Sequence, residues 1–426
     1  MTLTRFSNNT KLALFCATLG MVSGGVLWIF LRLVREGTRL IWDLIPAQVG
    51  SPVWYPVLAC GLGGLIIGLF RKKFGDYPES MFEVIGRVKK TGTYPYSKIG
   101  IIMIAALLPL IFASSVGPEA GMVGIVVALG CWVKENVSFA GRNTAISSRL
   151  GLAVSLSVLF FSPLFGLFSA IEEDELPDEL LDEIGRGGSV KSGRIRLMVV
   201  YGASICGALG VMFVLNSVFG KSMEGFPSFE NAVPGKADLL MTVPYLAIGI
   251  LLGLFFEKTE HVMDKLSAKL PPVISELTAG LVLGLVSVWV PMVRFSGEEE
   301  MGILIRDYAD YAPWAMIAMA FLKIVLTCMC IKLGMKGGHF FPLIFAAVCL
   351  GYGTSLLIFP LDSSSAVYAA AIVTAATLSS SMGKPLAVTC LLFLCFPVRM
   401  GIWIFMAAFI ASQAASRKGG KKDAAQ

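Results

Sequence analysis

Apolar residues recur along this chain in runs, at 12–31, 53–70, 99–113, 121–133, 150–171, 197–215, 239–256, 277–293, 312–331, 340–359, 365–378 and 386–411. Runs of this length and continuity predict helices rather than strands, and the longer ones reach the roughly 20 residues that a helix needs to cross a bilayer. Others, such as 121–133, are too short for a simple span. Those predict re-entrant or broken helices, whose ends are tolerated at membrane depth only where they face protein or a water-filled cavity.

The pattern is doubled. Gly117-Pro118-Glu119-Ala120-Gly121 opens an apolar run that reaches Leu129-Gly130, and Gly338-His339-Phe340-Phe341-Pro342 opens another that reaches Leu350-Gly351, at the same offset. Pro163-Leu164 follows Gly117 by 46 residues and Pro385-Leu386 follows Gly338 by 47, while Phe74-Gly75 and Phe295-Ser296-Gly297 lie 42 and 41 residues upstream. A doubled membrane fold whose segments are interrupted by Gly and Pro at corresponding places points to a transport site between the repeats. The halves expected are 1–190 and 191–416, followed by a basic tail over 417–426.

Composition agrees with lipid as the solvent. Apolar residues make up 56% of the chain and charged residues 15%, with a mean hydropathy of +0.76, well above an ordinary soluble domain. The first run continues past the length of a signal peptide's apolar region and predicts a retained helix. Nine scattered cysteines show no metal-ligand spacing and read as small buried hydrophobes in a reducing compartment. Lys and Arg concentrate in 71–98, in the tail and near the N-terminus, which predicts that both termini and the 71–98 loop are cytoplasmic. The formal charge of +6 comes from residues at segment ends and carries no nucleic-acid motif. Trp28, Trp42, Trp54, Trp289, Trp314 and Trp403 are expected in an interfacial belt, and Glu298-Glu299-Glu300 in a solvated loop.

Glu119 opens an apolar segment, where an ionisable group is costly enough to suggest a function. A helix N-terminus stabilises either an anion or a carboxylate at one spot. A carboxylate there competes with a permeating anion until protonated; the plainer alternative is an interfacial acid that only stabilises its helix. The second tip offers Gly338, backbone amides at His339 and Phe340, and Pro342 suited to a first helical turn, but no carboxylate. Taken singly it is a structural hinge, and its matched offset is what links it to Glu119. Pro163-Leu164-Phe165-Gly166 leads to Ile171-Glu172-Glu173, where paired carboxylates end an apolar run and enter an acidic, solvated stretch. One of the two is a candidate proton relay.

Together these motifs, in one order from about residue 20 to 412, resemble the CLC family of chloride channels and chloride/proton antiporters, and the divergent pattern is most similar to a compact prokaryotic member. The resemblance implies an all-α integral membrane protein of two inverted-topology repeats built from broken and re-entrant helices. It also implies a homodimer with one anion pathway per subunit, in a prokaryotic plasma (inner) membrane, without a cofactor. By resemblance Glu119 is the gating glutamate and Glu173 the internal proton acceptor, with Glu172 its neighbour of lesser role. Gly117, Pro118, His339 and Phe340 are anion-binding, Gly338 and Pro342 shape the second tip, and Gly75 occupies a serine's place in the first anion-binding loop.

The departures are informative. No hydroxyl stands at Gly75, Asp76 adds a negative charge beside it that repels anions if it points inward, Gly121 replaces a proline, Pro118 stands where a basic residue is common, and a C-terminal tyrosine of the family is missing. Two mechanisms follow: chloride/proton exchange through Glu119 and Glu173, or a passive pH-gated channel for chloride or fluoride. An intramembrane enzyme is the reading of another class, disfavoured because neither a His-Glu-x-x-His nor a Gly-x-Ser-x-Gly motif is present and His261 and His339 are the only histidines.

Overall fold

The computed structural model describes residues 2–91, 93–136, 154, 157–158, 162–171, 190–222, 227–230, 232–360, 362–393 and 395–423. Its helices are α1 (Thr2–Arg39), extended by a π-helical turn at Leu40–Leu44, α2 (Ile45–Val49), α3 (Tyr55–Phe74), α4 (Met81–Thr91), α5 (Ile99–Ile111), α6 (Glu119–Asn136), α7 (Pro163–Ile171) and α8 (Val190–Phe219). The later ones are α9 (Lys236–Ser267), α10 (Ile274–Trp289), α11 (Glu298–Asp307), α12 (Pro313–Lys332), α13 (Phe340–Ile358), α14 (Ser363–Met382), α15 (Pro385–Leu392) and α16 (Gly401–Asp423). Among the described residues there is no strand, only an isolated antiparallel bridge between Gly117 and Gly338. Among the described residues six helices are long and apolar enough to cross a membrane, those containing Ala13–Val49, Tyr201–Phe219, Lys236–Ser267, Pro313–Lys332, Phe340–Ile358 and Ser363–Met382.

The chain forms two compact units, each assembled from three segments. The first comprises Met1–Gly37, Tyr77–Leu107 and Glu119–Gly225. Here α1 packs on α8 through small residues, for a Cβ on Gly20 would collide with the Ser204 backbone and one on Gly24 with Ala208. Close backbone approach of this kind drives helix association where lipid removes the hydrophobic incentive. Trp28, expected in the belt, is instead buried, with its indole N–H donating to Asn216 Oδ1 at 2.8 Å. A buried Trp needs such a partner, and one fell within reach on α8.

The second unit comprises Thr38–Asp76, Leu108–Pro118 and Phe226–Gln426. Its core is α13 and α14, whose apolar windows are 83% and 89% buried, against 28% for α9. Exposed Leu240, Val243 and Leu251 give α9 an apolar outer face, as lipid contact requires. Local signals account for many boundaries. Asp362 caps α14 by accepting from the N–H groups of Ser364 and Ser365 at 3.0 and 3.2 Å, and Pro313 and Pro385 stand in first turns. The apolar run 386–411 is not one helix. It breaks between α15 and α16 around Pro397, whose ψ of 137° is non-helical and whose nitrogen has no hydrogen to donate. At the far end α16 continues through the basic tail to Asp423.

Glu298-Glu299-Glu300 also departs from expectation: the three acids form the first turn of α11 and Glu300 is buried. The reason lies on α12, where the fully buried Lys323 interacts electrostatically with Glu300. Nothing within the acidic triplet itself announces a partner more than twenty residues away.

Candidate functional site

The second unit brings together the two glycines that open the doubled motifs, Gly117 and Gly338. Helix α5 carries Pro109 inside it and ends at Ile111; Ala113 then takes a positive φ of 57°, and Ser114 N–H closes the turn on Pro109 O at 2.9 Å. The segment that follows turns tightly, Val116 N–H donating to Ser114 O at 2.7 Å, and ends at Gly117, whose N–H donates to Gly338 O at 2.8 Å while Gly338 N–H donates to Gly117 O at 2.7 Å. The two glycines that open the doubled motifs are thus paired backbone to backbone. Their approach excludes side chains, since a Cβ on the adjacent Gly337 would collide with Val116. Behind the pair, Ser115 Oγ and Thr327 Oγ1 share a hydrogen bond of 3.1 Å, and Phe295 N–H donates to Ala113 O at 3.2 Å.

The second tip enters α13 directly. His339 is its N-cap, with its ring against Phe256 and Phe340 at centroid distances of 5.1 and 4.8 Å. The ladder begins with Leu343 N–H donating to His339 O at 3.0 Å, so the N–H groups of Phe340 and Phe341 precede it. Pro342 occupies the first turn, where its missing donor is harmless. Such a terminus offers amide hydrogens and positive dipole to an anion. On the first tip Pro118 is buried and leads straight into Glu119, the first residue of α6 and 1% exposed. Glu173, with Glu172, lies outside the described residues.

Gly75 differs from the tip glycines in being exposed. It ends α3 with φ 102° and ψ 179°, and its counterpart Gly297 precedes α11 with φ 102° and ψ 3°. The two glycines share a φ that disfavours any side chain, but their ψ values differ, so one leaves a helix in an extended direction and the other turns into one. Asp76 does not stand as a lone repelling charge. It accepts from Arg71 Nε at 2.8 Å and Lys336 Nζ at 2.6 Å, and Arg71 reaches in turn to the fully buried Glu276 on α10. Partial burial pushes the Asp76 carboxyl up, but the hydrogen bond and charge of Lys336, with those of Arg71, outweigh it and hold the group below its ordinary value.

Sequence reasoning overlooked the buried Lys323. Its Nζ donates to Val293 O, Arg294 O and Phe295 O at 3.1, 3.0 and 2.8 Å, which ties down the loop before Gly297. The available signal was a lysine in the middle of an otherwise apolar run, which the cost of a charge in a membrane segment makes worth a question. Glu276 gave less warning. It closes its own helix start by accepting Val273 N–H at 2.7 Å, and only its depth sets it apart from an ordinary capping acid.

Known proteins share this fold. Residues 63–416 match the family model described as voltage gated chloride channel. The chloride channel protein CLC-e of Arabidopsis thaliana is 24% identical over 372 residues, covering 80% of this chain and 49% of that protein, so the chain spans about half the length of this relative. Two solved structures share the fold: a CLC-type fluoride/proton antiporter, with TM-score 0.73 and 18% identity over 97% of both chains, and a slow cyanobacterial chloride/proton antiporter, with TM-score 0.77 and 17% identity over 96% of this chain and 95% of the other. With the family model spanning most of the sequence, including both paired tips, the chain belongs to the voltage-gated chloride channel family.

Proposed function

We propose that this protein carries chloride or another small anion across a membrane in exchange for protons. The observation that carries the reading is the reciprocal backbone pairing of Gly117 with Gly338, which joins a tip leading into a buried carboxylate to a tip leading into a helix N-terminus. In this mechanism the anion is held by the amides of His339 and Phe340, between the backbone of Gly117 and Pro118 and the loop at Gly75. Glu119 competes for the anion's place as a carboxylate and yields it when protonated, and Glu173 passes protons from the cytoplasm. Helix dipole and amide donors favour either negative occupant, so proton uptake and anion entry are linked by competition for one location. The halves 1–190 and 191–416 act as the two repeats, and two copies of the chain form a dimer with both termini in the cytoplasm.

Proteoliposomes loaded with chloride test this directly, with anion efflux and external pH recorded together. Native protein is expected to release chloride while taking up protons. Glu119→Gln abolishes the pH dependence of chloride flux, because a permanently neutral side chain no longer competes, and Glu173→Gln removes the proton signal while leaving chloride movement. Chloride efflux without proton movement in the native protein would replace exchange with passive conduction, a second reading favoured by the exposed, hydroxyl-free backbone at Gly75.

A further inference from the structure

The second tip is tied at two places. Gly338 is paired with Gly117, and two residues earlier Lys336 Nζ holds Asp76 Oδ2 at 2.6 Å across 260 positions of sequence. Asp76 belongs to the loop at Gly75, so one ion pair links the first anion-binding loop of the proposed site to the tip that opens α13. The surrounding charges form two layers. Inside, Arg71 contacts a Glu276 carboxylate with no exposure, and a Cβ on Gly334, which has φ 102°, would collide with both groups. Outside, the Asp76 side chain is 60% exposed and Lys336 is 20% exposed. The two cations are similarly half-buried, so the carboxylates make the difference: that of Glu276 is enclosed, whereas that of Asp76 meets water and can exchange partners. Lys332, the nearest other cation in sequence, is engaged elsewhere, with Glu260 at 3.0 Å and Asp264 at 3.7 Å.

We propose that Lys336 is an anion-contacting residue and that Asp76 is its built-in competitor. A small monovalent anion reaching this face takes the ammonium from Asp76, and the Gly75 loop is thereby released from the second tip. The reasoning rests on the anion-transport reading and extends it: an ammonium bonded to a water-exposed carboxylate offers an incoming anion the same kind of interaction, and exposed ion pairs are weak enough to be displaced. Arg71 retains Asp76 after the exchange, so the carboxylate has a second position and is not left uncompensated. Charge on the two loops thus does the work that a hydroxyl at Gly75 would otherwise do.

Chloride binding to the detergent-solubilised full chain, measured calorimetrically with sodium gluconate as the ionic-strength control, tests the exchange without requiring transport; flux from native proteoliposomes tests the transport reading separately. Asp76→Asn is expected to tighten chloride binding several-fold because the competitor is gone. Lys336→Met weakens it several-fold, Lys336→Arg keeps it near the native value, and the double variant Asp76→Asn with Lys336→Met behaves like Lys336→Met alone. Equal weakening by Asp76→Asn and Lys336→Met would make the pair a simple brace and overturn the proposal, as would native binding in both. Elution as a single native-sized species identifies the variants that have folded, and if Lys336→Met does not fold, Asp76→Asn alone decides, tighter chloride binding supporting the proposal and native or weaker binding overturning it.

Discussion

The loops at Gly75 and Gly297 lie 42 and 41 residues before the paired glycines Gly117 and Gly338 and share a φ of 102°, yet they are held by opposite means. At Gly75 the restraint is a set of side-chain ion pairs reaching Asp76, more than half exposed and open to water. At Gly297 it is one buried ammonium, Lys323, spread over three consecutive backbone carbonyls with Glu300 offsetting its charge. Exposed pairs are screened and exchange partners readily; a buried cation whose donors are all engaged cannot leave without stranding itself and its acceptors. Matching sequence offsets therefore do not imply matching rigidity. One loop is built to stay, and the other is built to let go.

The most severe break is expected at the buried clamp. Lys323→Met strands the carbonyls of Val293 to Phe295 and takes from the buried Glu300 the larger of its two cationic partners, leaving Arg294, which should cost about 3–5 kcal/mol and appear as a large fall in thermal stability by fluorescence-detected size exclusion. Removing Lys336 by the same substitution should change stability by only about 0–1 kcal/mol. Comparable losses from the two variants would erase the distinction between the loops.

Smaller effects come from the glycines. Gly297→Ala meets both an unfavourable φ and the Phe345 side chain, where the added Cβ would lie 2.7 Å from Phe345 Cβ, and about 1–2 kcal/mol of backbone strain is expected before any repacking. Gly75→Ser would return a hydroxyl to the first loop, but φ 102° with ψ 179° is a region essentially reserved for glycine. The substitution should therefore lower thermal stability rather than restore a donor in place. A stable Gly75→Ser variant would show that this loop moves more freely than its ion pairs imply.

The mildest test is pH. Asp76 is held below its ordinary value of 3.8 in the folded protein, so its ion pairs contribute stability above the unfolded value and lose it as pH falls through the lower folded one. The difference in melting temperature between native protein and Asp76→Asn should be constant from neutral pH down to about pH 4 and shrink below it. A difference unchanged at more acidic pH would mean that Asp76 is not held by charge.

Much of the fold was legible because its signals are local. Apolar length predicts the helices, Gly117-Pro118 and Gly338 mark where α6 and α13 begin, and the offset between Gly117 and Gly338 exposes the doubling. Apolar length alone does not count helices, as the run 386–411 shows: Pro397 divides it between α15 and α16. The candidate tips were legible for the same reason, since a helix N-terminus and its acid are neighbours in sequence.

The sequence by itself determined that the chain is a doubled set of apolar helices, with a carboxylate at one tip and amides at the other, because periodicity, capping and breaking act over a few residues. Only tertiary structure decided which charges are compensated. Glu300 looked solvated and is buried with Lys323; Asp76 looked repulsive and is paired with Lys336 across 260 residues, while Arg71 meets Glu276 across 205. The effect of a charge in a low-dielectric interior depends on the distance to its nearest opposite, and folding sets that distance between residues that sequence keeps far apart.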